Sequence, residues 1–168
     1  MVLTSAAINK KIRNLKEELE LVLEKESNSE VYVSVEGYDD VVPEYSFKET
    51  QAKVESISEQ IRKLKHALNV MNTTRKLEHF DMTIDEALVY MAQLNKRMAR
   101  LDTARRRLPK SRKVTSRYGE STSLVEYVVA NYDIDEVDAY YKEMQDTVNQ
   151  LQMDIDYINQ TVGINVDL

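Results

Sequence analysis

The sequence has no cysteine, and it has only 3 glycines and 2 prolines in 168 residues. A chain without cysteine has no disulfide, no thiol nucleophile and no thiolate metal site. With so few turn-forming residues, sandwiches and barrels built from many short strands are excluded. The lack of cysteine fits a reducing compartment, and we therefore expect a cytoplasmic protein.

Long apolar runs are also missing. The longest unbroken one is Ala87–Ala92, far shorter than the stretch of about 20 residues that a membrane-spanning helix needs. The first residues have neither a basic start nor the apolar core of a signal peptide. The sequence therefore predicts no membrane span.

Apolar residues recur every three or four positions in four segments, a spacing that places them on one face of a helix. The predicted helices cover residues 5–26, 47–72, 84–108 and 134–162. Capping boxes are expected to start the second and third helices, at Ser46 with Glu49 and at Thr83 with Glu86. Pro109 and Gly163 are expected to end the third and fourth helices. The mean spacing of 3.5 residues predicts a left-handed bundle or coiled coil.

Two connectors, at about 30–37 and 113–131, have a β-like pattern. Valines alternate with polar residues before Gly37, which predicts a short strand and a turn. In the second connector, residues 124–130 are expected to pair with 114–118 across Gly119. The predicted fold is mainly all-α, a single domain over residues 1–168, with four long antiparallel helices and a small β element. Because single apolar stripes bury more surface when chains pack together, we expect a homo-oligomer.

The run from Leu68 to Glu78 leads into a helix start, Thr83-Ile84-Asp85-Glu86-Ala87-Leu88. From Leu68 onward this pattern resembles the septicolysin-like family of small bacterial helical proteins. The positions that carry the resemblance are Asn69, Asn72, Leu77, Thr83, Glu86 and Asn159. The resemblance implies a helical fold and a largely uncharacterised function under a haemolysin-like label. The turn at residues 79–82 is one residue longer than the family's.

Charge is distributed very unevenly. Residues 96–117 contain ten bases and one acid, Asp102, a charge of +9, so the rest of a chain of net charge −6 carries −15. The candidate anion-binding or partner-binding residues are Arg105, Arg106, Arg107, Lys110, Arg112, Lys113, Arg117 and Tyr118. They can bind phosphates, or they can pair with acidic faces of the same chain or of a neighbouring copy. Pairing is favoured, because the acidic remainder repels nucleic acid.

Tyrosine is unusually frequent, with 10 residues against 2 phenylalanines and no tryptophan. Tyrosine suits subunit interfaces, where one end of the ring is buried and the other is wet. The candidate interface residues around the connectors are Tyr32, Tyr38, Tyr45, Tyr127 and Tyr132.

No pattern identifies a reaction. The only histidines, His66 and His79, do not follow a glutamate at the spacing of a di-iron bundle. The first and fourth predicted helices carry acidic clusters similar to those with which all-α nucleotide pyrophosphatases hold magnesium. The residues are Glu17, Glu18, Glu20, Glu143 and Asp146. Solvent-exposed helix faces explain these carboxylates better than a metal site does. We expect no catalytic residue, metal, cofactor or small-molecule substrate.

The sequence therefore predicts a non-enzymatic structural or interaction protein that forms a homo-oligomer. The alternative is a nucleic-acid or anion-binding module that uses residues 105–117. Less favoured are a membrane-active haemolysin-like protein, a metal-dependent nucleotide pyrophosphatase, and a component of a virion or other large assembly.

Overall fold

A computed structural model describes residues 1–113 and 125–168 of the chain. The predicted mainly-α fold is confirmed, since helices form 66% of the described residues. The helices are α1 (Ser5–Ser29), α2 (Phe47–Thr74), α3 (Ile84–Arg105) and α4 (Ile134–Thr161). The strands are β1 (Val2–Thr4), β2 (Lys110–Arg112), β3 (Tyr127–Val129) and β4 (Gly163–Asn165), in the antiparallel pairs β1–β4 and β2–β3.

Contacts divide the chain into two compact units. One comprises Met1–Lys76 with Ile155–Leu168, and the other comprises Leu77–Asp154. A compact unit of this kind is not by itself a domain, so the single-domain assignment stays a prediction.

The core of the first unit lies between α1 and α2. It is formed by the buried residues Ile8, Ile12, Leu15, Ile57, Ile61, Leu64 and Val166. The helices are antiparallel, because Ser5 at the start of α1 bonds Met71 near the end of α2, while Glu18 pairs with Lys53 near its start. All six helical core residues belong to the predicted stripes. Full burial of one such side chain contributes about 1.5–3 kcal/mol.

The β1–β4 pair closes the first unit and was not predicted. Thr4 faces Gly163 in the register, and the Val166 N–H donates to the Met1 carbonyl at 2.9 Å. The prediction that Gly163 caps α4 is wrong, because its φ is not positive and it begins β4. Glycine is needed there for close approach, since a Cβ would lie 2.5 Å from Val2 Cγ1.

In the second unit, α3 begins with the predicted capping box between Thr83 and Glu86, which is confirmed. The Leu77 N–H donates to the Met82 carbonyl at 3.0 Å and closes the loop before α3. The buried residues of this unit are Leu77, Ile84, Ala87, Leu94, Met98, Met144, Leu151 and Asp154. Apart from Leu77 and Asp154, they belong to the predicted stripes of the third and fourth helices.

Two predicted helix ends are corrected. Ser46 is the N-cap of α2, but its side chain makes no capping hydrogen bond. Because Ser46 is exposed, water can accept hydrogen bonds from the free N–H groups at the start of α2. Helix α3 ends at Arg105 rather than at residue 108, because Pro109 disfavours the helical conformation of the residue before it.

The predicted strand over residues 31–35 is wrong: these residues form neither a helix nor a strand and have no strand partner among the described residues. The predicted turn is present, with Gly37 at φ +88° and the Tyr38 N–H donating to the Val35 carbonyl at 3.1 Å. Strand β3 lies inside the predicted 124–130, but it pairs with β2. The proposed partner, residues 114–118, lies outside the described residues.

Candidate interaction surface

Residues 106–113 and 125–130 form a two-stranded structure that we call the basic hairpin. The Lys113 N–H donates to the Glu126 carbonyl at 2.8 Å, and the Ala130 N–H donates to the Pro109 carbonyl at 3.0 Å. Hydrogen-bonded positions alternate along an antiparallel pair. The backbone groups of the intervening Lys110 and Arg112 therefore point away from β3, so that the outer edge of β2 has no strand partner among the described residues.

The side chains of the basic hairpin follow from its register. Lys110 faces Val129 and Arg112 faces Tyr127, so these four side chains share one face of the sheet. The Nζ atom of Lys110 lies 4.2 Å from the centroid of the Tyr127 ring. Lys113 forms an ion pair with Glu126 at 2.7 Å. One face thus presents two cations beside an aromatic ring.

Arg105, the last residue of α3, is held in an ion-pair network within its own unit. Its guanidinium lies 2.9 Å from Asp102 and 3.1 Å from Asp138, and its Cζ atom lies 4.2 Å from the centroid of the Tyr141 ring. Hydrogen bonds to Asp138 and Asp102 raise the pKa of Arg105, and its hydrogen bond to Asp102 lowers the pKa of that carboxyl. Arg106 also pairs with Asp102, at 3.0 Å. Two of the five predicted anion-binding arginines, Arg105 and Arg106, therefore have internal partners.

The other residues of the predicted anion-binding set divide into three groups. Lys113 is paired, as described. Lys110, Arg107 and Arg112 are exposed and have no acidic partner among the described residues. Arg117 and Tyr118 lie outside the described residues.

Residues 30–44, which we call the acidic segment, connect α1 to α2. The segment contains five acids and no base: Glu30, Glu36, Asp39, Asp40 and Glu44. It also exposes apolar side chains, with Val33 87% and Val41 89% accessible to solvent. Among the described residues, residues 31–44 make one backbone hydrogen bond, which the Tyr38 N–H donates to the Val35 carbonyl. This valine-rich segment thus has no strand partner in the part of the chain that the structure describes.

The predicted interface tyrosines have different roles. The Tyr45 hydroxyl donates to Glu26 at 2.9 Å; burial and this hydrogen bond raise its pKa. The Tyr132 hydroxyl donates to the Ala104 carbonyl at 2.9 Å. These two therefore stabilise their own chain. Tyr32, Tyr38 and Tyr127 remain exposed, Tyr38 at 79%.

A cleft of about 360 Å³ lies beside Tyr45, between the end of α1 and the start of α2. Its lining is mostly charged or polar, with Val22 as its one aliphatic residue. Ligand pockets are predominantly apolar with a few polar groups. The cleft therefore lacks the usual character of a small-molecule site.

A buried carboxylate, missed by the sequence analysis, joins the loop before α3 to α4 in the second unit. Asp154 is 5% exposed. It accepts from the His79 backbone N–H at 3.1 Å and from Gln150 Nε2 at 2.9 Å, and His79 Nδ1 lies 2.8 Å away. Burial alone raises the pKa of this carboxyl, but the hydrogen bonds from Gln150 and His79 outweigh it, so the pKa is lowered.

The spacing of Asp154 from apolar residues in the sequence indicates that its side chain is buried. Residue 154 follows the buried Leu151 by three and precedes Ile158 by four, so it lies on the apolar face of α4. A carboxylate on such a face needs donors. Within its unit the cluster acts as a clasp between loop and helix.

The positions that carry the family resemblance have structural contacts at helix ends. The Asn69 carbonyl accepts from the Thr73 hydroxyl at 2.9 Å, Leu77 is buried, and Thr83 and Glu86 cap α3. Asn72 and Asn159 are half-buried. None of these contacts indicates a particular reaction or ligand.

The described residues contain no group of three or more histidine, aspartate or glutamate side chains that could hold a metal ion. The carboxylates considered for a pyrophosphatase site are exposed on α1 and α4. Among the described helices, none combines the length and apolar character needed to cross a membrane.

No protein-family model matches the chain, and no curated protein is significantly similar to it. Its structure is similar to the crystal structure of a functionally unknown conserved protein from Corynebacterium diphtheriae. The TM-score is 0.56 with 18% sequence identity, over 98% of this chain and 100% of the other. At this identity the similarity shows the fold alone.

Proposed function

We propose that this protein is a non-enzymatic structural protein that functions as a homo-oligomer. The observation that carries the proposal is the acidic segment, whose exposed valines and tyrosines lie outside any helix or strand and have no strand partner among the described residues. Unpaired strand-like backbone is a template for pairing with another chain. Burial of this apolar surface against a partner is favourable, because it removes the surface from water.

The same proposal includes three finer points. The apolar stripes at a spacing of 3.5 residues support coiled-coil-like packing of the helices. The absence of cysteine supports a cytoplasmic location. The residues from Leu68 onward support membership of the septicolysin-like family.

Light scattering on the purified protein at physiological salt tests the proposal, over a hundredfold range of protein concentration. We expect a mass that is a multiple of 19.5 kDa and an absorbance ratio at 260 and 280 nm typical of protein alone. A monomer at every concentration contradicts self-association.

A second candidate function is anion or nucleic-acid binding by the basic hairpin. The observation in its favour is that Lys110, Arg112 and Tyr127 share one face. It ranks second because Arg105 and Arg106 are paired with carboxylates and Lys110 already covers the Tyr127 ring. Nucleic acid that co-elutes in the same experiment and dissociates as salt rises favours this function.

A further inference from the structure

We infer that the acidic segment of one copy binds along the basic hairpin of a second copy as an added β-strand. The inference rests on the proposed self-association and names the two surfaces that form it.

The first argument is the backbone. The outer edge of β2 presents the N–H and C=O groups of Lys110 and Arg112, and before its turn the acidic segment has no strand partner among the described residues. An extended peptide that adds to an open sheet edge satisfies both sets of groups. Residues 31–35 have the apolar–polar alternation of a strand, and a partner strand favours that conformation.

The second argument is charge. The acidic segment contains five acids and no base, whereas the basic hairpin contains five bases and one acid, Glu126, which is paired with Lys113. Opposite charges on neighbouring strands stabilise a sheet, and like charges destabilise it. Two copies of the acidic segment therefore repel each other, and so do two basic hairpins, whereas one of each attracts.

The third argument is the alternation of side chains. When Glu36 lies on the face of Lys110 and Arg112, the period of two places Val31, Val33 and Val35 on the opposite face, where β2 carries Ser111. One register thus brings opposite charges together on one face and keeps the valines away from both basic side chains of β2.

The fourth argument is exposure. Val33 and Tyr38 in the acidic segment and Tyr127 in the basic hairpin are all exposed in the single chain. Both surfaces are therefore accessible to a second copy. Because the contacting surfaces differ, two copies that exchange segments reciprocally form two such contacts and close a dimer.

Charge reversal tests the pairing. One variant carries Lys110→Glu and Arg112→Glu, which takes the net charge of the basic hairpin from +4 to 0. The other carries Glu36→Lys and Asp40→Lys, which takes the net charge of the acidic segment from −5 to −1. We expect each variant alone to associate at least tenfold more weakly than the unmodified chain in sedimentation velocity. We expect an equimolar mixture of the two to regain the oligomer, because the substituted positions of the two variants again carry opposite charges.

Matched controls reverse the same number of charges elsewhere. Lys10→Glu with Lys65→Glu, and Glu17→Lys with Glu20→Lys, change exposed residues of α1 and α2, and we expect both to associate like the unmodified chain. Circular dichroism shows whether each variant keeps its helices. A reversed variant that folds and still forms the oligomer overturns the inference, and so does a mixture that stays monomeric. An unmodified chain that is itself monomeric refutes the proposed function as well.

Discussion

At the scale of single residues, Asp154 shows how a buried charge is stabilised. A carboxylate removed from water needs donors, and Asp154 has the His79 backbone N–H, the His79 ring and Gln150. Because one of these donors belongs to the backbone of the loop before α3, Asp154 holds that loop to α4.

Replacing Asp154 with alanine is expected to lower the free energy of unfolding by about 2–3 kcal/mol, because the buried donors lose a charged acceptor. Urea unfolding followed by circular dichroism measures the change. Asp146→Ala, on an exposed position of the same helix, is the control, and we expect it to change stability by less than about 0.5 kcal/mol. Equal effects of the two substitutions contradict the clasp.

The pH dependence of this clasp has a definite sign. Hydrogen bonds lower the pKa of Asp154 in the folded protein despite its burial. Its stabilisation is therefore complete above the pKa of an unfolded aspartate, about 3.9, and is lost as pH falls through the folded value. We expect the stability advantage of the unmodified protein over Asp154→Asn to be constant between about pH 5 and 6 and to shrink below about pH 4. An advantage that grows in acid contradicts this assignment.

At the scale of elements, the strands depended on partners that the sequence pattern did not identify. Residues 31–35 alternate like a strand but have no partner among the residues described, whereas Lys110–Arg112, which have no such pattern, form β2 because β3 lies beside them. Strand formation depends on cross-strand neighbours more than on intrinsic preference. Helix starts are local, so the predicted starts of all four helices match the structure.

The β1–β4 pair leads to a prediction at Gly163. Gly163→Ala is expected to cost about 1 kcal/mol, at the low end for overpacking, because its Cβ meets Val2 Cγ1 and Val2 is 67% exposed and can shift. Val2→Ala removes the obstructing methyl groups, so the double variant should recover most of the loss in a double-mutant cycle of thermal unfolding. Additive effects of the two substitutions would show that the close approach is unimportant.

At the scale of the whole molecule, the uneven charge makes association sensitive to salt. The Debye length falls from about 10 Å at 0.1 M to about 3 Å at 1 M, so attraction between the acidic segment and the basic hairpin is screened. We expect the dissociation constant of the oligomer to rise between 0.05 and 0.5 M sodium chloride. Sedimentation at both concentrations measures it, and an oligomer that tightens with salt indicates an apolar interface instead.

The mainly-α fold, the four helix starts and the apolar stripes follow from the sequence alone, because helix periodicity and caps are local properties of the chain. The sequence also identified the basic residues of the candidate interaction surface and its exposed tyrosines. The three-dimensional arrangement was needed to show that Arg105 and Arg106 are internally paired and that Asp154 is buried between a loop and a helix. It was also needed to show that the valines after residue 30 are exposed and have no strand partner among the described residues. These outcomes depend on which distant residues meet in space, and no local pattern records that.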